Sequence, residues 1–226
     1  MKCVAAVRAQ AAICYNAAMR LLALLLACLP LAAQWKALFN GKNLDGWEVV
    51  GDGVWYVMKG GLLVGDRKPN RQPGTGSHQS WLYTQAEYRQ YDLSLEYWTR
   101  LGGNSGVSLR DPTRGRYSFG KEWDSNKTPS HFGYEIQIMN TEAPQKYPTG
   151  SVYLFASAKP GAQKSDDWNL LEIQSRDNLI RVKLNGVDVC EHPGDPARPK
   201  AGPIGLQLHD LNSVVMFRNI RIREVK

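Results

Sequence analysis

Two side chains in Gly133-Tyr134-Glu135-Ile136-Gln137-Ile138-Met139-Asn140 could do chemistry. The stretch alternates apolar and polar residues, the period-two pattern of a β-strand with one buried face. Tyr134, Ile136 and Ile138 share one face, and Glu135, Gln137 and Met139 the other. The same test on other runs sets Ser108 and Arg110 opposite Val107 and Leu109. It sets Gln207 and His209 opposite Leu206 and Leu208, and Tyr153 opposite Val152 and Leu154. Any sheet with one wet face alternates in this way. This set is nevertheless rich in Arg, Gln, His and Tyr, which hydrogen-bond directionally. The polar faces therefore read either as plain solvated surface or as the floor of one site.

Retaining glycosidases need two carboxylates about 5–5.5 Å apart. A strand supplying them commonly reads E-x-D-x-x-E, whereas this register reads Glu135, Gln137, Asn140. An amide is neither a nucleophile nor a general acid, which disfavours ordinary double displacement. Glu135 and His209 remain as a base and an acid, and elimination from a substrate with an acidic C–H needs no more. G-x-S-x-G, H-E-x-x-H and P-loop signatures are absent. His78, His131 and His192 lie in polar loops at unrelated spacings and read as structural.

The elements that would position these residues are short. Alternating runs at Trp47–Val50, Val54–Met58, Gly61–Gly65, Ser80–Tyr83, Tyr91–Thr99, Gly106–Arg110, Gly133–Met139, Ser151–Phe155, Asn169–Ser175, Leu179–Leu184, Val187–Cys190, Gly202–His209 and Val214–Val225 predict strands. Asn185-Gly186 between two such runs is a hairpin signal, and Lys59–Gly61 a second turn. A dozen or so strands without crossover helices predict an all-β antiparallel sandwich of two sheets, a jelly roll with a concave face free for a ligand. Asp66–Gln79 and Asp111–Phe132, the second holding Arg114, Arg116, Lys121, Glu122 and Trp123, are too long for turns, and loops of this length read either as cleft walls or as disordered segments.

Residues 1–33 contain no acid and end in Leu21–Ala33, an apolar run too short to span a bilayer with margin. They read as a secretory signal peptide, with translation starting at Met1 or Met19, followed by one domain over 35–226. Cys28 in a loose lipobox makes a lipid anchor the minor alternative, so the expected location is secreted, periplasmic or cell-envelope. Removing the three basic residues of the leader leaves 25 basic against 21 acidic residues, too mild and scattered for nucleic acid. Three of the four cysteines leave with it, so Cys190 has no internal disulfide partner. Seven Trp and ten Tyr suit strands, and also sugar clefts.

Eight motifs in order then carry a resemblance: Leu38–Trp47 (LFNGKNLDGW), Gly103–Arg110 (GNSGVSLR), Gly133–Asn140, Thr149–Phe155 (TGSVYLF), Asp167–Ile173 (DDWNLLEI), Asn185-Gly186, Gly202–Asp210 (GPIGLQLHD) and Val215–Ile222 (VMFRNIRI). Over about Trp35 to Glu224 the chain resembles the 3-keto-disaccharide hydrolase domain family. The resemblance implies a concanavalin A-like jelly roll, exported in bacteria, acting on glycosides already oxidised at C3. It implies a 3-keto-glucoside hydrolase or a 1,2-lyase with hydration of the product, and an upstream sugar C3-oxidoreductase as partner. The implied catalytic residues are Glu135, His209 and Arg110, with Glu135 or His209 as the base at C2 and Arg110 on the developing enolate. Gln137, Gln207, Tyr153 and Asn104 are the implied substrate-binding residues. No cofactor is called for, although a divalent metal is left open. Asn140 stands where the family usually has Asp, which puts any acid or metal role of that position in doubt. The alternative is a non-catalytic, lectin-like module of the same fold. A cleft holding Glu135 and His209 together favours the enzyme, and a shallow aromatic platform the module.

Overall fold

Alternation resolves into two stacked antiparallel sheets in a computed structural model, which describes residues 34–67 and 79–225. The expected leader and most of the Asp66–Gln79 loop, with His78, lie outside the described residues. The larger sheet runs β11 (Val187–His192), β10 (Leu179–Leu184), β9 (Asn169–Arg176), β6 (Tyr91–Thr99), β13 (Val215–Glu224), β4 (Leu62–Asp66) and β3 (Val54–Met58), with β1 (Lys36–Ala37) on β13. The smaller sheet runs β2 (Trp47–Val50), β5 (Ser80–Thr84), β12 (Ile204–Leu208), β7 (Asn104–Leu109) and β8 (Tyr134–Met139). The one described α-helix, α1 (Pro129–Phe132), is a single turn with Pro at its start, where the missing N–H costs nothing.

The core lies between the sheets. Leu93, Leu95, Leu171, Ile173 and Phe217 from the larger sheet meet Leu82, Val107, Ile136, Ile138 and Leu206 from the smaller, all buried. The expected all-β jelly roll is therefore the observed fold. The Asn185-Gly186 turn joins β10 to β11 with both residues at positive φ, 52° and 83°, the twist that suits a two-residue hairpin.

Two strand expectations change. The expected strand Ser151–Phe155 pairs with β8 only at its start, through Gln137 N–H to Ser151 O and Tyr153 N–H to Glu135 O. It then folds into a tight turn in which Phe155 N–H donates to Val152 O at 2.9 Å. The strand expected to reach Arg110 stops at Leu109, because Arg110 is in the left-handed region at φ 61°.

Asn140 closes the end of β8. Its side-chain amide donates to Thr99 O at 2.9 Å and to Ser165 O at 2.7 Å, and its oxygen accepts from Ser165 Oγ. A carboxylate cannot donate, so this position demands an amide here for a structural reason. Asn140→Asp should set a carboxylate against two carbonyl oxygens and cost about 2–4 kcal/mol of stability, read as a fall in the urea midpoint at pH 7.

Candidate functional site

The face of the smaller sheet turned away from the core is hollow, and register explains why. One row across it carries Tyr83, Gly205, Ser108 and Glu135 on β5, β12, β7 and β8. The next carries Trp81 beside Gln207 and Gly106 beside Gln137. Both central glycines are required by close approach. A Cβ on Gly205 would stand 2.5 Å from Tyr83 Cε1, and one on Gly106 only 2.7 Å from Glu135 Oε1. The Glu135 side chain thus lies across Gly106, toward the Gln207 amide on the next strand but one.

Segment 111–132 walls this floor. Asp111 fastens it: its carboxylate accepts from Tyr83 Oη at 3.0 Å, Gly115 N at 2.8 Å, and the N–H and hydroxyl of Thr113. Gly115 seats on the Trp81 indole, where a Cβ would stand 2.9 Å from Cδ1. Gln79 N–H donates to Ser118 O. Farther along, Thr128 Oγ1 lies 2.9 Å from His131 Nδ1 and 2.8 Å from Ser130 Oγ, which fixes the imidazole plane.

Between floor and wall lies a cavity of about 400 Å³, within the range of small-ligand sites. Five of the expected site residues line it: Glu135, Gln137, Tyr153, His209 and Asn104. Gln207 is fully buried beneath, its amide against Glu135. Its amide nitrogen and oxygen, like Asn104 Oδ1, have no well-formed partner. A roomier hollow of about 510 Å³ between 139–149 and 157–165 holds no comparable group of unpartnered buried side chains.

Arg110 is not in the cleft, which corrects the role expected for it on the enolate. Its positive φ breaks the alternation that placed it beside Ser108. Gly133 and Gly202 crowd its backbone so closely that a Cβ on Gly202 would meet Arg110 Cα at 2.7 Å. The guanidinium crosses the core to Ser175 Oγ and Arg176 O on β9 and lies 5.9 Å from the Tyr134 ring centre. Arg110 ties the two sheets together. His131, expected to be structural, lines the cavity with Trp123, Asn126 and Leu154. The length of the 111–132 loop was the one sequence signal for these walls. Arg67 had none. It anchors the His209 segment by donating to the carbonyls of Leu208, His209 and Asp210 and pairs with Asp52 at 2.7 Å.

The electrostatics single out one group. Burial pushes the Glu135 carboxyl up from 4.5 to about 7, against the opposing pull of His209 and the nearby Gln207 amide. Burial, then the Glu135 charge, also raises the Tyr153 phenol, which keeps its proton. Asp210 goes the other way: burial raises it, but His209 beside it and the hydrogen bond from Asn212 N–H bring it down to about 2. Asp210 Oδ2 stands 3.5 Å from His209 Nδ1, too far for a well-formed hydrogen bond. Among the described residues, no three His, Cys, Asp or Glu side chains converge as metal ligands.

The Glu135 shift has a stability sign. The carboxyl holds its proton more tightly folded than unfolded, so its contribution is full below pH 4.5 and is lost as pH rises through about 7. Glu135→Gln should match wild type at pH 4.5 and exceed it by about 3 kcal/mol at pH 8.5, measured by urea unfolding.

The family model described as a 3-keto-alpha-glucoside-1,2-lyase-like domain matches residues 34–223. No curated protein matches significantly. Among solved structures, a candidate glycosyl hydrolase of Parabacteroides distasonis is 26% identical with TM-score 0.65, over 85% of this chain and 100% of that one. A second from the same organism is 20% identical, also with TM-score 0.65, over 85% and 94%. The carbohydrate-binding module CBM66 of Bacillus subtilis is 14% identical with TM-score 0.53, over 79% and 96%, a likeness of fold.

Proposed function

This chain belongs to the 3-keto-alpha-glucoside-1,2-lyase-like domain family, and we propose that it is a carbohydrate-active enzyme cleaving 3-keto-glycosides by elimination across C1–C2. The single observation that carries this reading is the buried lone carboxylate of Glu135, 4% exposed and poised at about pH 7 on the floor of a cleft.

A ketone at C3 acidifies the hydrogen on C2. Glu135 takes that proton, the electron pair moves into an enolate with its charge on the C3 oxygen, and the C1–O bond then breaks as the C1–C2 double bond forms. A base with pKa near the working pH is the most effective for such a step. With Arg110 in the core, the enolate charge falls to His209, which stands beside Asp210 and whose backbone is held by Arg67. A donor aimed at developing charge in a water-poor site is where electrostatic stabilisation is strongest. In this reading Tyr153, still protonated, donates its proton to the departing oxygen. Gln137 and Asn104 supply donors and acceptors for ring hydroxyls, and Gln207 lies beneath them against Glu135. Release at the unsaturated stage is the lyase outcome. Addition of water, its hydroxyl to C1 and its proton to the Tyr153 phenolate while Glu135 protonates C2 after exchange with solvent, is the hydrolase outcome.

The 26%-identical candidate glycosyl hydrolase supports a glycosidase-like enzyme. The fold is shared with a sugar-binding module, but recognition alone gains nothing from a buried carboxylate held near neutrality. The substrate implies an upstream oxidoreductase acting at sugar C3, and the leader 1–33 implies export to the envelope or beyond.

Glu135→Gln should lower kcat on a 3-keto-glucoside by about 10²–10⁴-fold, with substrate binding retained. Wild-type kcat should rise with pH through about 7 as Glu135 ionises. In D₂O the unsaturated product should lack the C2 proton, and any hydrated product should carry deuterium there. Equal rates for wild type, Glu135→Gln and buffer would refute the assignment.

A further inference from the structure

The turn Val152–Phe155 puts the wrong kind of residue in a demanding place. Its third position has positive φ, where Gly or Asn is usual, and it holds Leu154 at φ 73°. A branched side chain in the left-handed region is strained. Core packing does not repay that strain, because Leu154 is 39% exposed and lines the cleft. The turn therefore holds an isobutyl group at the cavity. Next to it, Tyr153 lines the same cavity, with its ring edge-on to Tyr147 at 5.1 Å.

The position of this pair relative to Glu135 gives it a partner within the substrate. Tyr153 lies directly across from Glu135 in the ladder, on the outer side of β8, where the smaller sheet has no further strand among the described residues. Gln207 and His209 lie on the inner side, toward β12. C1 and C3 flank C2 on opposite sides. If Glu135 acts at C2, a C3 ketone facing the polar inner side sends the C1 substituent outward over Tyr153 and Leu154. We propose that Tyr153 and Leu154 form an aglycone subsite for apolar alkyl or aryl leaving groups, with Leu154 setting that preference over small or polar ones. The proposal rests on the assignment of Glu135 as the base.

The test compares methyl and cyclohexylmethyl 3-keto-glucosides, in both anomers. Both release primary alcohols of similar acidity, so their ratio of kcat/KM reports contacts to the aglycone rather than leaving-group chemistry. Wild type should favour the cyclohexylmethyl compound by about 10-fold or more, and Leu154→Gly and Leu154→Asn should both bring the ratio to within about twofold of unity. Gly and Asn accept the left-handed conformation, so both variants should melt no lower than wild type. A wild-type ratio near one, or a preference that survives in both folded variants, would overturn the subsite. Turnover of neither compound would instead count against Glu135 as base. The subsite is then read from the Kd ratio of the same two compounds, with about 10 expected and a value near one overturning it.

Discussion

The cleft depends on the desolvation of one carboxylate. An isolated ionised Glu taken out of water is expensive, and a protein usually answers with a cation or with a raised pKa. Here the floor supplies amides and a neighbouring imidazole rather than an arginine, and the pKa rises to about 7. The one arginine that alternation would have brought to the floor, Arg110, is diverted through the core by a left-handed backbone. An arginine beside Glu135 would favour the charged form and pull its pKa back down, leaving a weak base. The absence of that pairing is what the proposed removal of a proton from carbon requires.

The scaffold is arranged around this burial. Gly106 and Gly205 remove side chains from the two central strands, so that Glu135 and Tyr83 can lie across them. Asp111, itself fully buried, spends its acceptors on Tyr83, Thr113 and Gly115 and so fixes the wall to the floor. Arg67 holds three successive carbonyls at the end of β12, where His209 follows. Strain at Leu154 is the local exception to this economy, and it falls at the rim, where burial gives nothing back. Such exceptions cluster where a protein meets its ligand.

Much of the fold was legible in period-two alternation, because each strand buries one face and the pattern is forced residue by residue. The Asn-Gly hairpin was legible for the same kind of reason, since its turn needs positive φ twice. On the floor, Glu135, Gln137, Gln207 and His209 could be read by carrying alternation from strand to strand. Arg110 could not, because one left-handed residue reverses the side-chain direction, and nothing in Arg-Asp-Pro announces it. Asn140 looked like a lost acid until its two carbonyl partners appeared, and those come from segments 41 and 25 residues away. His131 and Trp123 line the cleft from the 111–132 loop, which its length alone marked, and neither their paths nor the reach of Arg67 to the His209 backbone is encoded by periodicity.

Glu135, in the proposed reaction, removes a proton from the carbon next to a sugar ketone, a role that can be tested without any leaving group. 1,5-Anhydro-3-keto-glucitol carries hydrogen in place of the C1 substituent, so it can exchange at C2 but cannot eliminate. In D₂O the wild-type protein should wash the C2 proton out of this compound, at a rate set by an ionisation near pH 7, and Glu135→Gln should abolish the exchange. Exchange no faster than in buffer, from protein shown by titration to bind the ketone, would contradict this role of Glu135.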